Sequence, residues 1–390
     1  MSARRTLRVG VAGLGRAFTV MLPTLARDPR VTLVAAADPR AEARQRFAAD
    51  FAAKSYATVA GLCDDPAVEI VYVATPHQLH AEHAILAARH GKHLLVEKPM
   101  ALTLEDCTAM IEAARRASVH LIVGHSHSFD APIARTRALI DSGVYGAVRM
   151  IHALNYTDFL YRPRRPEELD TAQGGGAIFN QAAHQVDIVR LLGGGMVKSV
   201  RAATGAWDKS RPTEGAYSAL LTFEGEAFAS LSYSGYGRFD SDEFSDRIGE
   251  MGQTKDPGAR GSSRRFASAD EEAAFKNARN YGGAAYRPLA EQAPSHQHFG
   301  TIIVSCERAD LRPMPNGVMI YQDGAAGLDP LPPPTVPRAE VIDELYGAVV
   351  DGRVPLHDGP WAMATLEVCL AMLRSAQEGR GVALSHQVVR

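Results

Sequence analysis

The sequence predicts an α/β domain followed by an α+β domain. Three observations carry this. Short apolar strands alternate with helical stretches from Leu7 to Val123, the alternation stops near Gly124, and long strand candidates then follow one another. Short buried strands separated by helices of roughly 10–15 residues mean βαβ units and a doubly wound parallel sheet. The strands expected there are Leu7–Ala12, Val31–Ala37, Glu69–Ala74, His93–Val96 and Val119–Val123. Ala41–Ala53, His77–Arg89 and Thr103–Ala117 supply the helices between them.

Beyond Gly124 the pattern changes. Ala131–Asp141 reads as a helix and Ala147–Asn155 as a strand. Ala177–Leu192 is an apolar-periodic helix between two glycine clusters, Gly174–Gly176 and Gly193–Gly195. Val197–Asp208, Ala216–Phe223 and Ala227–Tyr233 are strand candidates of antiparallel character, and Gln297–Cys306 and Gly317–Tyr321 extend them. Gly249–Ser268, rich in Gly, Ser, Lys and Arg, reads as a mobile loop, and the Pro-rich Leu331–Pro337 as a linker. Two helices, Arg338–Asp351 and Gly359–Glu378, close the chain, the second with an apolar face that packs back onto the body. The expected domains are therefore 1–124, 125–337 and 338–390.

A chain of 390 residues exceeds one ordinary core, which agrees with more than one domain. A formal net charge of −2 argues against nucleic acid or an anionic membrane as partner. No apolar run reaches the roughly 20 residues of a membrane span, and no signal-peptide core precedes the first strand. Cys63, Cys107, Cys306 and Cys369 lie far apart with no CxxC, which fits reduced thiols rather than disulfides or zinc. A cytoplasmic protein without a structural metal is expected.

Val9-Gly-Val-Ala-Gly13-Leu-Gly15-Arg-Ala17-Phe18 follows the first strand and opens a helix. Gly13 suits a tight turn, Gly15 a close backbone approach to a pyrophosphate, and the N–H groups from Leu14 to Ala17 its oxygens. Phe18 stands where the third Gly or Ala of that fingerprint belongs, so the motif is incomplete. Asp38 ends the second strand, where an acidic side chain can hold both ribose hydroxyls. The pairing of turn and acid in one βαβ unit indicates a Rossmann dinucleotide site. Asp38 favours NAD, and the nearby Arg40 keeps NADP open.

Ala74-Thr75-Pro76-His77, with His80 one turn later, ends one strand, and Glu97-Lys98-Pro99 ends the next. With Gly13-Leu-Gly15 these resemble the glucose–fructose oxidoreductase, inositol dehydrogenase and rhizopine-catabolism (Gfo/Idh/MocA) family over essentially the whole chain. The resemblance implies a Rossmann domain, then an α+β domain with an open, mostly antiparallel sheet that forms a homo-dimer or homo-tetramer interface. It implies that Arg16, Thr75, Pro76, His77, His80 and Glu97 attend the cofactor. Lys98 would then point at nicotinamide and substrate.

The family's Asp-x-Gly-x-His-x-x-Asp motif reads here Asn180-Gln-Ala-Ala-His184-Gln-Val-Asp187. In a regular helix these three polar residues share one face, an arrangement an apolar helix does not carry without reason. Asn180 replaces an Asp that could raise the basicity of His184 or pair with Lys98; an amide can only orient a hydroxyl. Oxidising an alcohol requires a base for the hydroxyl proton as hydride leaves carbon. His184, with an ordinary pKa of ~6.5, suits that role near neutrality, with Lys98 polarising the reacting oxygen. The two roles can also be exchanged or shared. His125 is expected to line the site, His127 reads equally as site or core, and His90, His120 and His357 as surface.

Tyr156-Thr-Asp-Phe-Leu-Tyr161-Arg162-Pro-Arg164-Arg165 follows a strand of the second domain. Guanidinium forks suit carboxylates. Alternatively, this is a solvated loop balanced by Glu167, Glu168 and Asp170. The whole run resembles the branch of the family acting on phthalate 4,5-dihydrodiol, so oxidation of a carboxylated cis-dihydrodiol to the aromatic diol is the expected activity. A sugar or inositol dehydrogenase is the alternative within the family. A non-catalytic NAD-sensing protein is the alternative outside it.

Overall fold

In the computed structural model, residues 5–256, 266–288 and 294–389 are described. They form two compact units. One comprises the chain up to His125, the segment 268–292 and Val336–Met363; the other comprises Ser126–Ala267, residues 293–335 and 364–390. The long helix Gly359–Glu378 contributes to both.

The first unit is built on a parallel sheet of β1 (Leu7–Ala12), β2 (Val31–Ala37), β3 (Lys54–Tyr56), β4 (Ile70–Val73), β5 (His93–Val96) and β6 (Leu121–Val123). Its spatial order is β3-β2-β1-β4-β5-β6, the doubly wound arrangement of dinucleotide-binding proteins. The strands β1, β4 and β5 are apolar and almost wholly buried, as helices on both faces require. Because every strand runs the same way, the loops after β1, β2, β4 and β5 open on one edge. They carry Gly13, Asp38, Thr75 and Lys98.

Two distant segments complete this unit. Thr24 Oγ1 donates to Pro337 O at 2.6 Å, tying down the residues before the helix Ala339–Val349. The backbone at His357 then pairs with the free edge of β6, Val123 N reaching His357 O at 2.9 Å. His357 is buried, not at the surface as expected, because Glu344 accepts from both its backbone N–H (2.7 Å) and Nδ1 (2.8 Å).

The second unit carries a sheet of β7 (Val148–Tyr156), β8 (Val197–Gly205), β9 (Ala216–Phe223), β10 (Phe228–Ser234), β11 (Thr301–Cys306), β12 (Asp310–Met314), β13 (Gly317–Gln322), β14 (Ala325–Pro330) and β15 (Val382–Ala383). Their order is β14-β13-β12-β11-β7-β10-β9-β8-β15, antiparallel throughout except for the pair β7–β10. This is the mixed, mostly antiparallel sheet the sequence points to. β12 and β14 escape a reading by pattern. β12 contains Pro313 and charged residues, and β14 is an edge strand with almost no buried position.

The expected helix over Ala177–Leu192 is not regular. Ile178–Ala182 forms a π-helical turn, and an α-helix runs from Ala183 to Leu192. Such single wide turns recur at functional sites, because they re-aim the side chains they carry. Residues 249–256, expected to be mobile, hold a closed turn: Gly249 N donates to Gln253 O at 2.8 Å, and Lys255 is paired with Asp240 at 2.8 Å and with Asp242. Of the rest of that expected loop, residues 257–265 lie outside the described residues, and Ser268 caps the helix Ala269–Ala278.

Candidate active site

In the first unit the turn after β1 has the geometry a dinucleotide needs. Gly13 sits at φ +94°, and a Cβ there would lie 2.7 Å from Ala74 O, so no side chain fits. At Gly15 a Cβ would meet nothing within 4 Å, which leaves open ground in front of the helix Arg16–Arg27. That helix has no side-chain cap on its N-terminus, so its first N–H groups face outward with the positive end of the helix dipole. The Leu14 side chain is buried, and its N–H turns back to Asp38.

Asp38 is buried at the end of β2. Its carboxylate accepts from Leu14 N at 2.8 Å and from Arg40 N and Nε at 2.9 and 3.0 Å. Turn, acid and Arg40 are therefore one hydrogen-bonded corner.

After β4, Thr75 and Pro76 continue into the short helical turn at His77. His80 was expected to meet the cofactor, but it has no exposed surface. Its ring lies 2.9 Å from both Thr75 O and Pro99 O, so it holds the loop after β4 to the loop after β5. Burial is the larger influence on its pKa and lowers it. Glu97 was also expected at the cofactor, yet it is buried against Tyr72, whose hydroxyl donates to it at 2.5 Å. Burial raises the Glu97 pKa, against the pull of that hydroxyl and of Arg338 and Lys98. Both residues are buried and tied to neighbouring loops or strands behind that edge. Lys98 remains partly exposed at the carboxyl end of β5, joined to Pro99 by a cis peptide. His125, after β6, is buried and follows a cis peptide from Gly124.

In the second unit His184 is buried on the helix Ala183–Leu192. Its ring stands edge-on to His127 at 4.8 Å and tilted against Phe299 at 5.0 Å between centroids. His127 Nδ1 lies 2.7 Å from Asp130 Oδ2, and its Nε2 lies 3.5 Å from Glu250 Oε1. Burial alone would lower the His127 pKa, but the two carboxylates outweigh it and raise it. Sequence reasoning missed Asp130 and Glu250. The three-residue spacing of His127 and Asp130 is the one signal that could have shown their pairing.

Asp187, three residues on in the regular helix, shares a face with His184, but Asn180 lies in the π-helical turn before it. The wide turn displaces Asn180, whose amide donates to Gly174 O and Gly176 O at 3.2 and 2.9 Å. An Asp could not donate to those carbonyls, which accounts for the amide here. Asp187 accepts from Ser128 Oγ on one oxygen and from Thr365 Oγ1 at 2.9 Å on the other, and Arg190 donates to Thr365 at 2.7 Å. Asp187 thereby ties the helix, one turn beyond His184, to Thr365 and to the residue that follows His127.

The arginine run does more than balance its glutamates. Arg162 pairs with Asp158 at 2.9 Å and lies 3.8 Å from Glu250, the carboxylate that also faces His127. Arg164 is nearly buried, with its guanidinium 3.8 Å from the Phe159 ring centroid and donating to Phe159 O at 2.7 Å. Burial pushes its pKa down to about 10; Glu168 opposes this while Arg162 and Arg211 add to it. It stays protonated at neutral pH, in company with two other cations. Tyr233 joins the two clusters: its hydroxyl donates to Gln181 Oε1 at 3.0 Å and its ring stacks on Phe299 at 6.4 Å, while Arg162 and Arg164 both act on its hydroxyl. Arg211 and Tyr233 carried no motif, because only folding brings them here.

Comparison with known proteins agrees with this layout. Residues 7–125 match the model of an oxidoreductase family with an NAD-binding Rossmann fold, and residues 133–252 match a GFO/IDH/MocA C-terminal domain. Over 378 residues, 95% of both chains, the sequence is 49% identical to a 1-carboxy-3-chloro-3,4-dihydroxycyclohexa-1,5-diene dehydrogenase of Comamonas testosteroni. The chain belongs to the Gfo/Idh/MocA oxidoreductase family. A crystal structure assigned as a dehydrogenase from Bordetella bronchiseptica RB50 superposes with a TM-score of 0.90 at 41% identity, covering 97% of this chain and 100% of that one. The WlbA dehydrogenase of Bordetella pertussis, solved with NADH and UDP-GlcNAcA, shares the fold at a TM-score of 0.73 and 22% identity, covering 99% of both chains. The protein is thus an NAD-binding oxidoreductase of this family. Among the described residues, no helix is long and apolar enough to cross a membrane.

Proposed function

We propose that this protein oxidises a cyclic cis-dihydrodiol bearing a carboxylate, such as phthalate 4,5-dihydrodiol, to the corresponding aromatic diol. The observation that carries this is the guanidinium cluster of Arg162, Arg164 and Arg211 in the unit that holds His184. Arg211 is buried and Arg164 nearly so, and both stand close enough to Arg162 for the three charges to act together, so a ligand that brings an anion among them is favoured. An uncharged polyol supplies none. The Comamonas testosteroni relative is named for a carboxylated dihydrodiol, which agrees with this reading.

The bound nicotinamide supplies a hydride acceptor. The protein's residues do the rest. Arg164 and Arg211 hold the carboxylate, His184 takes the proton of the hydroxyl on the carbon that loses hydride, and Lys98 binds that oxygen. The ketone so formed then enolises: the remaining carbinol carbon gives up its proton and the carbonyl oxygen takes one back, which gives the aromatic diol. The sum is dihydrodiol and NAD to diol, NADH and one proton. Tyr233 is no competing base, because burial raises its pKa against the pull of Arg162 and Thr157. Homo-oligomerisation belongs to the same proposal. Met150, Leu220, Phe228 and Ile303 are exposed on one face of the second sheet by strand register.

The test is NADH formation from NAD with carboxylated and uncarboxylated cis-dihydrodiols and a polyol panel. Turnover confined to carboxylated dihydrodiols and reduced by roughly 10²–10⁴ in His184→Ala is expected. Turnover of polyols alone overturns the substrate assignment.

A further inference from the structure

Residues 268–288 lie far along the chain, after the strands of the second sheet have begun, yet they belong to the dinucleotide unit. Their docking point is Phe18, the residue that breaks the dinucleotide fingerprint. Tyr281 is fully buried and meets the Phe18 ring edge-on at 5.1 Å between centroids. Its hydroxyl donates to Asp50 Oδ2 at 2.7 Å. The next residue, Gly282, has φ +77°, and a Cβ there would lie 2.6 Å from Ala43 Cα. The segment thus presses on the helix Ala41–Phe51, directly after the corner formed by Asp38 and Arg40.

The contact with Arg40 gives this docking a consequence. A guanidinium has five N–H donors. In Arg40, Nε and Nη2 meet the Asp38 carboxylate at 3.0 and 3.1 Å, and Nη2 also donates to Leu14 O at 2.9 Å. Nη1 is the terminal nitrogen that Asp38 and Leu14 leave over, and Tyr281 O accepts from it at 3.3 Å. Four donors are therefore committed, the last of them by the returning segment. A ribose 2′-phosphate would need a guanidinium turned toward it, whereas a 2′-hydroxyl needs only an acceptor.

We propose that residues 268–288 are a cofactor-selecting element. Seated on Phe18, they hold Arg40 against Asp38 through the Tyr281 carbonyl. The ribose corner then accepts a 2′-hydroxyl and rejects a 2′-phosphate. Phe18 is in this view a specificity determinant, since its ring replaces the small residue of the fingerprint and creates the seat. The inference rests on the Asp38 corner being the ribose site, and it is independent of the substrate assigned above.

The experiment is fluorescence titration of the full-length protein with NADH and with NADPH, which needs no substrate. The parent is expected to bind NADH at least tenfold more tightly. Gly282→Ala, which forces the segment off Ala43, and Tyr281→Ala, which empties the seat, are expected to narrow that ratio about tenfold, chiefly by tighter NADPH binding. Tyr281→Phe, which keeps ring and carbonyl, is expected to restore the parent ratio. Should one alanine variant fail to fold, the other carries the test, with thermal melting as the check. An unchanged ratio in a folded alanine variant overturns the proposal, as does an equal loss for both cofactors. A parent that binds neither would instead contradict the dinucleotide reading itself.

Discussion

His127 Nδ1 lies 2.7 Å from the carboxylate of Asp130, and the His127 ring stands 4.8 Å from that of His184. A buried imidazole whose pKa Asp130 and Glu250 raise thus borders the proposed base. Since the pKa of His127 is raised on folding, the stability it contributes is complete below about pH 6.5, its unfolded value, and is lost as pH rises through the folded value. Asp130→Asn is therefore expected to destabilise the protein more at pH 6 than at pH 9, as read by denaturant unfolding at both. A loss that does not change with pH would show that His127 is not charged in the folded protein.

Arg164→Gln is expected to raise KM for a carboxylated substrate about 10- to 100-fold with a smaller change in kcat. A hydrogen bond to a charged group contributes roughly 1.5–3 kcal/mol, and each 1.4 kcal/mol is a factor of ten. Steady-state kinetics against an uncarboxylated analogue checks this. A KM that rises equally for both substrates would place the carboxylate elsewhere.

Asp187→Asn keeps the shape of the anchor but weakens the bonds from Ser128 and Thr365. The expected cost is about 1–3 kcal/mol of stability, measured by urea unfolding, together with a lower kcat as His184 loses its fixed position. KM for substrate should change little. A large rise in KM with stability intact would return Asp187 to the substrate.

Gly13→Ala is expected to abolish measurable NADH binding while leaving a folded protein. The added Cβ meets Ala74 O at 2.7 Å in a backbone region that side chains avoid. Titration of NADH fluorescence, with circular dichroism as a folding control, decides it. Binding near the parent value would mean that the turn is free to rearrange.

Much of this was legible in the sequence. β1, β2 and β5 fall on the apolar runs of the sequence, interrupted at the exposed Arg8 and Thr32, because a sheet covered on both faces buries most positions of its strands. Gly13, Asp38 and Lys98 could be placed for a related reason. In a doubly wound sheet, whatever follows a strand's carboxyl end comes to the same edge. The roles of His80, Glu97 and Asp187 were not legible, since a polar residue beside a site reads the same whether it faces a ligand or ties two loops together. Asn180 was misplaced because a wide helical turn has no sequence signature of its own, and one extra residue per turn undoes an argument from helical spacing. The sequence by itself determined the two-part fold and the dinucleotide turn, which rest on local pattern, while Lys98 and His184 became candidates through the family resemblance. Only tertiary structure decided that Asp130 and Glu250 hold His127, that Arg211 joins Arg164, and that Tyr281 seats on Phe18. Those contacts join residues brought together by packing, and side-chain periodicity carries no information about which distant segment will fill a given surface.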